Sequence, residues 1–108
     1  MSGPLLMPAP VLPELDYLLR RRVGGSAVAD LIEEIVAGAL RIVDLTRLDY
    51  ARCREIVDTY ADTPVGFVDA AVLAVTERLG ETKLATLDRR HFAIIRPRHV
   101  AALELLPA

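Results

Sequence analysis

The chain has 108 residues, 53% of them apolar and 26% charged, which is one domain's worth of sequence with enough apolar side chains to build a core and too many for a disordered segment. Thirteen basic against fifteen acidic residues, for a net charge of -2, exclude nucleic-acid binding by bulk charge but leave room for a local basic patch. The single cysteine, Cys53, excludes a disulfide framework and a cysteine-built zinc site; with no signal peptide and no apolar run near the roughly 18 residues of a membrane span, the expected setting is the reducing cytoplasm, with no membrane role.

Leu5 to Met7, fenced by Pro4 and Pro8, reads as a short buried strand. A helix follows, because Val11, Leu15, Leu18 and Leu19 fall on one face of a 3.6-residue period. Prolines 8, 10 and 13 crowd its start, where proline is tolerated, and Gly24-Gly25 ends it. The second helix carries Val28, Leu31, Ile32, Ile35, Val36 and Ala39 as a stripe, with Asp30, Glu33 and Glu34 off it and Ser26 as a plausible N-cap. Leu40 to Leu45 predicts a strand. Thr46 then opens a third helix with Asp49 in a capping-box arrangement and Cys53, Ile56, Val57 and Tyr60 on its apolar face. A break at Asp62-Thr63-Pro64 leads to a fourth helix from about Gly66 to Leu79, stopped by Gly80. Lys83–Leu87 is the next strand, 88–95 a turn and short helix, and 101–106 a last strand. Strands alternating with helices imply a parallel sheet of about four strands flanked by helices, an α/β fold.

Three acids stand out. From Phe67 to Val75 every residue is apolar except Asp69, so a carboxylate sits in the first turn of a helix that is otherwise buried; a first-turn Asp favoured by the helix dipole is the commoner explanation. Asp88 directly follows the strand KLATL, at the carboxyl end, where open α/β sheets place their ligands; it would serve equally as an N-cap. Thr86, two residues earlier, points to the same side of that strand. Glu14 lies at the edge of the first helix's apolar stripe, a position also suited to a solvated Glu. Acids following different elements of one α/β domain suggest a hard-cation site. Mg²⁺ takes oxygen ligands and keeps several waters, and it can generate hydroxide and stabilise charge on a phosphate in transfer.

The stretch YADTPVGFVDAAVLAVTERLGETKLATLDRRHF, residues 60–92, resembles the second half of a PIN domain of the VapC toxin type, with an Asp opening an Ala-rich helix and a strand ending in TLDRRHF. Upstream, PAPVLPELDYLLRRR, residues 8–22, is similar to the family segment that carries an acidic Glu in an A-E-L or P-E-L context. The resemblance implies a Mg²⁺-dependent endoribonuclease, with Mn²⁺ as a substitute ion. It implies Glu14, Asp69 and Asp88 as the metal-site and catalytic carboxylates and Thr86 as a supporting hydroxyl. The expected partners are an RNA substrate, a VapB-like antitoxin and a second copy of the chain in a homodimer.

One departure shapes the expectation. PIN domains open with a strand carrying an Asp in an I-D-T-S-like context, then a helix, and nothing before Leu5 resembles this. The expectation is therefore a single partial PIN-like domain over 1–108, N-terminally truncated, with the first strand and helix absent and the first of four acids missing. The strands at Leu5–Met7 and Lys83–Leu87 would then lack a partner, and the chain alone would be aggregated or loosely folded, with little activity. The alternative function is a non-catalytic, antitoxin-binding remnant of a toxin. A phospho-receiver domain ranks last, since no acid pair follows the first strand and no Lys follows a late one.

Residues 82–99 carry Lys83, Arg89, Arg90, Arg96 and Arg98 against only Asp88, so Arg89 and Arg90 are RNA-backbone candidates, with an ordinary charged loop as the plainer explanation. Arg20-Arg21-Arg22 is read as a dipole-favoured helix C-terminus. His91 and His99 are general-acid candidates by residue type, but the resemblance gives neither a catalytic role. Cys53 is expected to be core, and Gly24-Gly25 a turn rather than a phosphate loop.

Overall fold

A computed structural model of the chain describes residues 4–85 and 89–106. Two compact units emerge, Met1–Asp44 and Leu45–Ala108, each with its own parallel strand pair.

In the first unit β1 (Leu5–Pro8) leads into α1 (Val11–Arg22), α2 (Gly25–Val36) and β2 (Leu40–Val43). Strands β1 and β2 are parallel, in register from Leu5 opposite Leu40 to Pro8 opposite Val43. Hydrogen bonds from Leu5 N to the Ala39 carbonyl (3.1 Å) and from Ala9 N to the Val43 carbonyl (2.8 Å) extend this ladder at both ends. Pro10 and Pro13 fall at the N-cap and within the first turn of α1, where no intrahelical N–H is needed. Gly24, at φ 126°, makes the turn between the helices. It is Gly24 that caps α2, and Ser26 lies inside the helix, because glycine alone takes that backbone conformation without strain.

The expected N-terminal truncation, with the first strand and helix absent, is overturned: the chain opens with a strand–helix pair, β1 and α1. Neither strand expected to be partnerless is so, since β1 bonds to β2 and β3 (Lys83–Ala85) bonds to β4 (Glu104–Leu106), both in parallel. The α/β character and the parallel strands flanked by helices stand. The physical reason is that β2 supplies the ladder partner that a further strand would otherwise have to provide. Parallel pairing needs a crossover, and α1 and α2 provide it.

Among the described residues of the first unit none is fully buried. Val11, Leu15, Leu18 and Leu19 are half-buried as their spacing requires. On α2 only Val28, Leu31 and Ile35 of the long stripe are sheltered, while Ile32 and Val36 are exposed. Leu5 and Leu6, expected inside, are exposed as well. Two four-residue strands are too narrow to cover a stripe as broad as the sequence writes.

The second unit holds the core. It contains α3 (Arg47–Thr59), α4 (Phe67–Leu79), β3, α5 (Arg89–Ile94) and β4. Thr46 and Asp49 form the capping box: Thr46 Oγ1 accepts from Asp49 N (3.1 Å) and Asp49 Oδ2 from Thr46 N (2.9 Å). Helix α4 is buried continuously from Ala70 to Thr76 and ends on Gly80 in the left-handed region. Helix α3 packs on α4, and Cys53 and Ile56 of α3 are buried, as are Val65, Phe92 and Ile95. The buried Thr76 hydroxyl donates to the Val72 carbonyl at 2.6 Å, which satisfies it within the helix.

Two arginine–carboxylate pairs of opposite sense tie α3 to α4. Arg52 of α3 reaches Glu77 of α4 through Nε (2.8 Å) and Nη2 (3.0 Å). Arg78 of α4 donates from Nε to both oxygens of Asp49, at 3.1 and 3.0 Å. Glu77 also accepts from the backbone N–H of Arg98 (2.8 Å), and the Arg98 guanidinium meets Glu55, so the segment after α5 is fastened to the same helices. Burial pushes the Glu77 carboxyl up, but the Arg52 hydrogen bond, the Arg98 N–H and the charges of both arginines outweigh it, and the carboxyl sits below its usual range. The Glu77 hydrogen bond in turn holds the Arg52 guanidinium above its ordinary value against burial.

This core sets the stability. Leu73 is wholly buried, and Leu73→Ala is expected to destabilise the fold by about 2–5 kcal/mol in urea unfolding. Because Glu77 has a depressed folded pKa, its contribution is present above the unfolded carboxylate value and is lost as pH falls through the folded one. Glu77→Gln should therefore cost about 2 kcal/mol at neutral pH, and its deficit relative to wild type should shrink below about pH 4. A deficit that stays constant between about pH 7 and about pH 3 would refute the pairing as the source.

Candidate functional site

Asp69 lies in the first turn of α4, one residue before the buried run begins. Gly66 caps that helix with its backbone, with no side-chain cap, and Ala70 N donates to the Gly66 carbonyl at 3.0 Å. Asp69 is thus not spent on capping. Its Oδ2 lies 2.7 Å from His91 Nδ1 on α5, and the two side chains are 21% and 23% exposed, sheltered but open to solvent. A carboxylate only accepts, so Nδ1 carries the hydrogen. No hydrogen bond engages Asp69 Oδ1 among the described residues.

Glu14 is exposed in the first turn of α1, in the first unit, and with Pro13, Tyr17 and Leu18 it lines an open concavity. Asp88 and Thr86 lie outside the described residues, directly after β3. Arg89 and Arg90 are the first two residues of α5. Of the expected site residues, the structure therefore brings Asp69 against His91, a residue to which the family resemblance gives no role. Among the described residues no group of three or more acidic, histidine or cysteine side chains is gathered as a cation would need, with Asp88 outside that set.

The remaining basic residues of 82–99 divide. Arg98 is committed to Glu55 and, through its backbone, to Glu77. Arg96 is exposed and its N–H donates to the Tyr60 hydroxyl at 2.9 Å. His99 bonds through Nε2 to the Glu81 carbonyl, which ties it to the chain just past α4 rather than to a site. Cys53 is buried as expected; burial, then the Asp49 charge, pushes its thiol up, away from the reactive thiolate.

A family model, the PIN domain, matches residues 1–96, spanning both units and every expected site residue. The chain belongs to the PIN-domain family. Ribonuclease VapC26 of Mycobacterium tuberculosis (strain ATCC 25618 / H37Rv) is 36% identical to this PIN domain over 87 residues, which cover 81% of the chain. The chain spans 64% of the length of that curated relative. Among the described residues of the PIN domain no helix is long and apolar enough to cross a membrane.

In chemical type the acids suit a hard divalent cation. Asp69 offers a partly exposed carboxylate with one oxygen turned to the His91 imidazole, and Glu14 an exposed one. Oxygen donors of this kind match Mg²⁺ better than the nitrogen and sulfur sets of zinc. The Asp69–His91 contact is what sequence reasoning misses. The two residues are 22 apart, and the only visible signal is that a histidine follows three residues after the acid Asp88 in sequence.

Proposed function

We propose that this chain is a metal-dependent ribonuclease of the VapC toxin type, with RNA as substrate, a VapB-like antitoxin as partner, a homodimeric state and a cytoplasmic setting, its two units together making one PIN-type domain. The observation that carries the reading is the similarity to a protein named a ribonuclease, within a family match that runs across residues 1–96. Glu14, Asp69 and Asp88 supply the carboxylates that hold Mg²⁺, or Mn²⁺ in its place, and Thr86 supports Asp88. When bound, such an ion supplies an activated water and neutralises charge on the phosphate.

The chain's own groups divide the remaining work. Asp69 is presented from the first turn of α4, one residue before its buried run. Arg89 and Arg90, next to Asp88 in sequence, offer positive charge to the RNA phosphates; such contacts position the strand without reading its sequence. Arg98 contributes less to this, because Glu55 already compensates its charge.

The test is cleavage of a mixed RNA substrate by the purified chain, with and without Mg²⁺ and EDTA. Asp88→Asn and Asp69→Asn are each expected to reduce the rate by roughly two orders of magnitude, the scale on which removing one electrostatic stabiliser acts, without loss of cooperative unfolding. Arg89→Ala combined with Arg90→Ala is expected to weaken RNA binding mainly at low salt. Cleavage that survives both EDTA and Asp88→Asn would overturn the metal mechanism. A folded chain that binds an antitoxin but cleaves nothing would favour the non-catalytic binding module.

A further inference from the structure

We propose that His91 is a positioning residue for Asp69, fixing through its Nδ1–H which carboxylate oxygen faces the cation. The inference rests on the metal-dependent reading above and adds a residue to it.

The contrast with the other sheltered carboxylates of the second unit carries the argument. Asp49, which is buried, has both oxygens occupied by the Arg78 guanidinium, and Oδ2 takes the Thr46 N–H as well. Both oxygens of Glu77 are occupied by Arg52, with the Arg98 N–H as a third donor. Those two acids are neutralised and serve the packing of α3 on α4. Asp69 is held differently among the described residues, by one imidazole N–H on one oxygen at 2.7 Å. A single imidazole N–H orients a carboxylate while leaving its other oxygen for a ligand.

The mechanical setting agrees. Asp69 has its backbone fixed by the buried run Ala70–Thr76, so its remaining freedom lies in its side-chain torsions. His91 is anchored by its own neighbours in sequence, Phe92 (9% exposed) and Ile95 (2% exposed), both in the core. A hydrogen bond from so anchored a ring removes the carboxylate's rotation about its last torsion. Carboxylates and histidines that orient metal ligands in this way typically matter by about 10- to 100-fold in metal affinity.

The geometry of the ring makes the proposal specific. In asparagine the amide nitrogen is attached to Cγ, as Nδ1 is in histidine, so His91→Asn keeps a donor at the same place. In glutamine the nitrogen lies one bond further out, near the position of Nε2, so His91→Gln does not.

The experiment measures Mn²⁺ binding to the full chain by calorimetry for wild type, His91→Ala, His91→Asn and His91→Gln. Each variant is checked for cooperative thermal unfolding, and ¹⁵N spectra of the wild-type imidazole are recorded alongside. Expected are a hydrogen on Nδ1 of His91 that responds to Asp69→Ala, a loss of Mn²⁺ affinity of about 10- to 100-fold in His91→Ala, recovery of most of it in His91→Asn, and little recovery in His91→Gln. Wild-type Mn²⁺ binding that His91→Ala leaves unchanged or strengthens overturns this proposal alone. So does equal affinity of the Asn and Gln variants. A folded wild type that binds no Mn²⁺ overturns the metal-dependent reading and this proposal with it. If His91→Ala fails to unfold cooperatively, the comparison of Asn with Gln decides.

Discussion

Seven consecutive buried residues, Ala70 to Thr76, leave α4 without a solvated face over about two turns, and every polar group packed beside that stretch must be matched at short range. The structure meets this demand locally. Thr76 turns its hydroxyl back onto Val72, and Asp49, only 3% exposed, has Arg78 and the Thr46 N–H on its oxygens. Arg52 and Glu77 neutralise each other, Glu77 standing one residue from Arg78, so the two pairs cross the α3–α4 contact in opposite directions. Neither pair is needed to make the helices attract, since burial of Cys53, Ile56 and Leu73 does that. What the pairs fix is the register in which α3 and α4 meet, because a slide of one turn would strand a charge in the core.

The same helix fixes the backbone from which Asp69 projects. A carboxylate on a loop would pay for its orientation with entropy each time a ligand arrived. One placed immediately before a fully packed segment has already lost that freedom on folding. The strap that follows α5 adds to the stiffness: Arg96 and Arg98 bond through their backbone N–H groups to Tyr60 and Glu77, and Ile95, just before them, is buried. His91 therefore approaches Asp69 from an element that is itself pinned at its far end.

Much of this is legible in the sequence where one residue type has one physical use. The capping box at Thr46 and Asp49 is written in four residues, and the burial of α4 is written in the lone charge between Phe67 and Val75. The terminator Gly80 and the helix bounds of α1 and α3 follow from local chemistry in the same way. Asp49 shows the limit of such reading, since a cap is a local event and its second partner, Arg78, is 29 residues away. On α2 the sequence pattern overstates the buried stripe, because periodicity records which residues are apolar, not how much surface stands ready to cover them. The expected truncation fails for another reason. The lack of an I-D-T-S-like motif does not amount to the lack of a strand, because a ladder asks only for extended backbone, and Leu5–Pro8 supplies it against Leu40–Val43.

The candidate site follows the same logic with a different outcome. An acid in an apolar helix announces itself because burial of a charge is costly, so Asp69 stands out from the pattern of its neighbours in sequence. A histidine three residues after an acid announces nothing, since an imidazole is at home in water, in a core or on a metal. Only the third dimension shows that His91 reaches Asp69, 22 residues away. Asp49, Glu77 and Asp69 differ in what their partners take from them. Guanidinium pairing, at Asp49 and Glu77, consumes both oxygens and the charge, and such acids are finished as ligands. Imidazole pairing, at Asp69, consumes one oxygen. The identity of the donor thus separates Asp49 and Glu77, which tie α3 to α4, from Asp69, and sequence spacing alone does not draw that line.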